Sequence, residues 1–163
     1  RPGVLRMTPV HLISMSELNW IGQTPLMIAI EKNNKKCVEI LMNYAIAKEM
    51  ISPLMDCNLD GRTTLMTACA FGNSEIVTLL LNRTKEMHEH KDICELIMAS
   101  DDNGYTAMHY ACGGTHSTQS RVNIVQELLS CVHKIDQRIE MIECTDDRGW
   151  NPLHLMSKNS MLR

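Results

Sequence analysis

Apolar residues recur at helical spacing in short runs, and the same pair of runs returns along the chain. In the first run of each pair, Leu26 and Ala29, Leu65 and Ala68, and Met108 and Ala111 lie three residues apart, on one face of a helix. The second run reads Cys37-Val-Glu-Ile-Leu-Met42, then Ile76-Val-Thr-Leu-Leu-Leu81, then Ile124-Val-Gln-Glu-Leu-Leu129. A glycine precedes each first run, at Gly22, Gly61, Gly104 and again at Gly149, with spacings of 39, 43 and 45 residues. The pattern predicts layers of two helices each, the last stopping after its first helix.

Punctuation residues support those boundaries. Thr24, Thr63 and Thr106 stand where a helix must begin, and a threonine hydroxyl accepts an otherwise orphaned amide there. Pro25 and Pro152 follow at the first helical position, where the missing N–H costs nothing. Asn33, Gly72 and Gly113-Gly114 mark the turns between paired helices. Alanine at positions 29, 68 and 111 leaves room for the second helix to approach.

The segments Gly22-Gln-Thr-Pro-Leu-Met-Ile-Ala29, Gly61-Arg-Thr-Thr-Leu-Met-Thr-Ala68, Gly104-Tyr-Thr-Ala-Met-His-Tyr-Ala111 and Gly149-Trp-Asn-Pro-Leu-His-Leu-Met156 resemble the start of the ankyrin repeat, whose period is ~33 residues. The resemblance covers roughly residues 19–160 and implies an all-α ankyrin-repeat solenoid with projecting hairpin fingers. It divides a single domain, 1–163, into an N-terminal cap or partial repeat (1–21), repeats at 22–60, 61–103 and 104–148, and a partial C-terminal repeat (149–163). These units exceed the usual period by about 6, 10 and 12 residues. About five of the extra residues in the third lie in Thr115–Ser120. The rest follow the second run, in Ile51–Cys57, Cys94–Ser100 and Ile139–Thr145, each read as a lengthened second helix or an added helical turn. Pro53 opposes a continuous helix in the first of them.

Composition narrows the chemistry. Among 163 residues, aromatics are only 4%, so the core must be filled by Leu, Ile, Val, Ala, 13 Met and 7 Cys. The net charge of −3 gives no footprint for nucleic acid or an anionic membrane. The cysteines are scattered and odd in number, and read as reduced thiols in the cytoplasm or nucleus, which leaves the sequon at Asn82-Arg83-Thr84 idle. No apolar stretch approaches the ~18–20 residues a membrane helix needs. The chain does not begin with Met and reads as a piece of something longer.

Candidate reactive sites are few. His109 and Cys112, at i and i+3, could share a zinc ion. The ankyrin resemblance instead gives His109 and His154 the task of tying neighbouring repeats, with Cys112 in the core. No nucleophile elbow, phosphate loop or metalloprotease helix is present. No catalytic residue, cofactor, metal or small-molecule substrate is therefore expected. The methionines at 42, 50, 55, 66, 98, 108, 141 and 156 are read as core rather than as a pliable binding face.

What remains is the placement of aromatics. The resemblance implies that a partner protein or peptide meets the concave side, at the fingers and the exposed end of each first helix. On those positions Trp20, Gln23, Arg62, Phe71, Asn103, Tyr105, Arg148 and Trp150 are the expected partner-binding residues. Four of the chain's six aromatics fall there, and Trp, Tyr and Arg dominate interface energetics. The expected function is a protein-interaction scaffold. Narrower alternatives are an inhibitor-of-kappa-B-like regulator of a transcription factor, or the cytosolic ankyrin region of a larger channel or kinase.

Overall fold

The computed structural model describes residues 22–47, 55–87 and 90–161. The expected cap at 1–21, with Trp20, and most of the Ile51–Cys57 stretch lie outside them. The described residues form helices α1 (Pro25–Glu31), α2 (Lys35–Ala47), α3 (Thr64–Phe71), α4 (Ser74–Met87), α5 (His90–Met98), α6 (Ala107–Gly113), α7 (Thr118–Ser130), α8 (Ile135–Glu143) and α9 (Pro152–Met161). Among these residues the only extended pairings are isolated bridges, Cys57 with Thr63 and Ser100 with Thr106. The architecture is the all-α solenoid that the pattern predicts.

The starts of the first helices follow from the threonines. The hydroxyls of Thr24, Thr63 and Thr106 accept the amides of Met27, Met66 and His109. At α9 Asn151 takes that place, its Oδ1 accepting the His154 amide at 3.0 Å. Second helices are capped in the same way, by Asn73 on Ile76 and by Ser117 on Ser120. First helices α1, α3, α6 and α9 pack side by side in one row, and α2, α4 and α7 form a second row behind them.

Between the rows lies one continuous core of Leu26, Leu65 and Met108 against Val38, Met42, Ile76, Leu80, Ile124 and Leu128, all at most 4% exposed. Met66 and Met141 are buried as well, whereas Met55 is 50% exposed and belongs to no core.

The repeat excess takes a different form from a lengthened second helix. In two layers it is a separate third helix, α5 or α8. Ile93, Leu96 and Ile97 turn α5 inward, each 1% exposed, so it packs on both α4 and α6. Cys131 and Val132 are buried at the end of α7 and redirect the chain before α8, which lies against α9.

Hairpin fingers join the layers. Each is closed by an Asn or Asp three residues before the glycine. Asn58 Oδ1 accepts the amides of Asp60 and Arg62, Asp101 Oδ1 those of Asn103 and Tyr105, and Asp146 Oδ1 those of Arg148 and Trp150. The four finger glycines have φ between 74° and 78°, the left-handed region that disfavours any side chain. Successive fingers are also bonded to each other. The Asp102 amide donates to Asp60 O and the Asp147 amide to Asn103 O, both at 3.0 Å.

Candidate protein-binding surface

One face is built from the fingers and the first-helix row, and the sequence-predicted residues are distributed over it unevenly. Gln23 is 8% exposed, and its side-chain amide donates to the Glu31 carboxylate. Its amide group is therefore occupied within its own layer. Phe71, at the end of α3, is 48% exposed and edges a groove of about 480 Å³ lined by Ile30, Glu31, Asn33, Asn73 and Ser74. Asn103 and Arg148 are exposed on neighbouring fingers.

The central residues support one another. Arg62 lays its guanidinium 4.5 Å from the centroid of the Tyr110 ring in the next layer. The Tyr110 hydroxyl donates to Asp101 Oδ2 at 2.5 Å. Burial, and then that carboxylate, pushes Tyr110 up to about 12. Tyr105 stands against both Tyr110 and His109, with ring centroids 5.4 Å apart in each case. Burial and the neighbouring Asp146 carboxylate raise its pKa. Trp150 remains 38% exposed, with the Lys158 ammonium 5.2 Å from its ring and His154 edge-on at 6.0 Å.

Tyr110 joins the residues expected from sequence, and Lys158, at the exposed end of α9, stands over the Trp150 ring. Tyr110 sits six residues after the finger glycine, where the other layers carry Ile28, Thr67 and Leu155. Its aromatic character at that register was the available signal. The closing residues Asn58, Asp101 and Asp146 were equally visible, as an Asn or Asp recurring at a fixed distance before the glycine.

His109 is fully buried and serves as a tie between layers. The Thr106 amide donates to its Nδ1 at 3.2 Å, which places the proton on Nε2, 3.0 Å from the Trp150 carbonyl. With both nitrogens engaged, neither faces a metal, and Cys112 beside it is a core residue at 2% exposure. Burial pushes the Cys112 thiol up to about 11 and raises Cys69 as well, which keeps both protonated at neutral pH. Among the described residues no three His, Cys, Asp or Glu side chains are grouped to hold a metal ion. No helix among them is long and apolar enough to cross a membrane.

Burial lowers the pKa of His109, and burial followed by Arg121 lowers that of His116. A histidine depressed in the folded state binds fewer protons folded than unfolded, so stability rises with pH through this window. The contribution is complete above the unfolded value of about 6.5 and is lost as the pH falls below it. Asp146 titrates lower: burial alone would raise it, but amide bonds from Trp150 and Arg148 outweigh burial and hold it below the usual carboxylate range. The melting temperature should thus be level from pH 8 to 7 and fall toward pH 5, with a shallower fall in His109→Gln. A level profile in the unsubstituted chain would contradict the buried neutral tie.

The comparisons with known proteins agree with the geometry. The family described as ankyrin repeats (3 copies) matches residues 7–91 and 52–139. Tyrosine-protein kinase HTK16 of Hydra vulgaris is 25% identical over 133 residues, 80% of this chain but 14% of that protein. That likeness is confined to the repeat region and carries no kinase chemistry with it. Ankyrin repeats are in general protein-interaction modules and non-catalytic scaffolds, and this chain belongs to the ankyrin-repeat family.

Proposed function

We propose that the chain holds a partner protein or peptide on the face made by its fingers and first helices, the concave side of the array. The observation that carries this reading is the collection of Phe71, Tyr105, Tyr110 and Trp150 on that face, in a chain with only six aromatic residues. Phe71 and Trp150 remain exposed there, and a core with few aromatics had other uses for them. Seven unpaired cysteines suit a reducing compartment, cytoplasm or nucleus.

A second reading places the chain as the ankyrin region of a larger signalling protein, supported by the likeness to a kinase of which it spans about 14%. An inhibitor-of-kappa-B-like role is a narrower form of the proposal, supported by the insertions between repeats and by Gly104–Ala111.

The test is affinity capture from cell extract with the unsubstituted chain and with Phe71→Ala combined with Trp150→Ala. Both side chains are exposed, so thermal stability should change little. Partners retained by the parent chain should be lost, with hot-spot truncation weakening a defined partner by ~30-fold or more. An unchanged captured set from a folded double variant would overturn the assignment of this face.

A further inference from the structure

The connector at residues 114–117, between α6 and α7, carries a histidine into a slot between two layers. The His116 ring lies between Gly72, which ends α3, and Gly114, which ends α6. A Cβ built on either glycine would fall against the ring itself, so only residues without a side chain leave room for it. The ring fills this slot without being fastened in it. Both its nitrogens are shut off from solvent, and among the described residues neither has a partner in hydrogen-bonding geometry. The carbonyls of Ala70 in α3 and Ala111 in α6 lie close by.

The charge that bears on the ring opposes a second proton. It is the guanidinium of Arg121, in the first turn of α7, a residue 6% exposed with its Nε buried. Beside the two carbonyls in sequence stand Cys69 of α3 and Cys112 of α6, whose thiols burial keeps protonated. Gly72 also lines the groove edged by Phe71. The ionisable groups of that groove are committed elsewhere, Glu31 to Gln23 and Lys35 to Glu75. A neutral imidazole therefore suits the slot, whereas an imidazolium would be a desolvated cation beside another.

We propose that His116 is an acid-released latch: neutral, it closes the slot between the ends of α3 and α6, and protonated beside Arg121, it swings out to water and opens the slot toward the Phe71 groove. The connector permits a local release. Its fixed points lie at its two ends, where Asn159 of α9 donates to the Gly113 carbonyl at 2.9 Å and Ser117 accepts the Ser120 amide. Thr115, exposed, and His116 span the gap between them. Burial and then Arg121 hold the His116 pKa down in the slot. Once released, the ring titrates near the free value of about 6.5. The open form thus binds protons more readily, and its population rises below about pH 6.5, by up to ~10-fold per pH unit. The latch stands whatever the groove holds.

The experiment follows the isotope-labelled chain by NMR from pH 8 to pH 5, reading the His116 ring together with the Gly72 and Gly114 amides. The two amides should move with the ring, at one shared midpoint below 6.5, while signals of the core, such as Leu65 and Leu128, hold their places. The amide response should vanish in His116→Gln, although His109 still titrates there. In Arg121→Gln the shared midpoint should rise toward 6.5. A ring that titrates while both amides stay fixed would overturn the latch. So would amide shifts that persist in His116→Gln, or a loss of dispersion throughout the chain over the same range. The first and last of these outcomes need no variant to fold.

Discussion

Asp101→Ala should cost about 3–4 kcal/mol of folding stability, the larger of the two principal effects expected here, because three bonds end on one buried carboxylate. Oδ1 takes the amides of Asn103 and Tyr105, and Oδ2 takes the Tyr110 hydroxyl. The side chain is 7% exposed, so water cannot replace the lost acceptors without opening the finger. Bonds to a charged acceptor contribute ~1.5–3 kcal/mol each, and bonds sharing one carboxylate are not additive. Asp146 provides the control. It closes the next finger with the same two amides, but its Oδ2 has no partner within hydrogen-bonding geometry. Asp146→Ala should therefore cost less, about 2 kcal/mol. Tyr110→Phe should destabilise the parent chain by ~1 kcal/mol and the Asp101→Ala variant hardly at all. Urea titrations of the four variants decide the matter. Equal losses at positions 101 and 146 would remove the role given to the tyrosine.

Gly72→Ala should cost about 3 kcal/mol. Gly72 ends α3 in the left-handed conformation at φ 69°, where any side chain costs roughly 1–2 kcal/mol. The remainder comes from His116. A Cβ built on Gly72 would lie 2.1 Å from His116 Cγ and 2.4 Å from its Cβ. Gly114 meets the same ring from the other side, with a Cβ only 2.0 Å from Cε1. His116 is thus wedged between the ends of α3 and α6 in adjacent layers. In a His116→Gly background the added cost of Gly72→Ala should shrink to the backbone part, ~1–2 kcal/mol. Strict additivity in that cycle would show that the ring and the glycine are not in contact.

What the sequence made legible was local and periodic. Threonine caps, glycine bends and the Leu–Ala face need only neighbouring residues to be understood, and each formed where its spacing put it. His109 was read as an inter-repeat tie through the ankyrin resemblance, and its bond to Trp150 is that tie. No glycine or proline separates α4 from α5 or α7 from α8, so the pattern alone reads each third helix as a lengthened second helix or an added helical turn. The redirection comes from burying Cys131 and Val132, a tertiary effect with no local marker. Thr115–Ser120 holds the extra residues of the third unit, and the slot that His116 fills there, left by two distant glycines, has no local marker. On the candidate surface, register alone could place Arg62 and Trp150 but could not reveal their stacking partners. Nor could it reveal that Gln23 lies against Glu31.

The bonds between fingers have a mechanical consequence. Asp102 to Asp60 and Asp147 to Asn103 join the layers through rigid backbone groups along one edge. Behind that edge, α4 and α7 meet through apolar side chains such as Leu80, Ile124 and Leu128, which slide without breaking a directional bond. At that joint the finger edge resists a change of length more than the backs of α4 and α7 do; between α2 and α4 the Lys35–Glu75 ion pair adds a directional tie. Flexing would change the splay between Arg62 and Lys158 while leaving each of them on its ring.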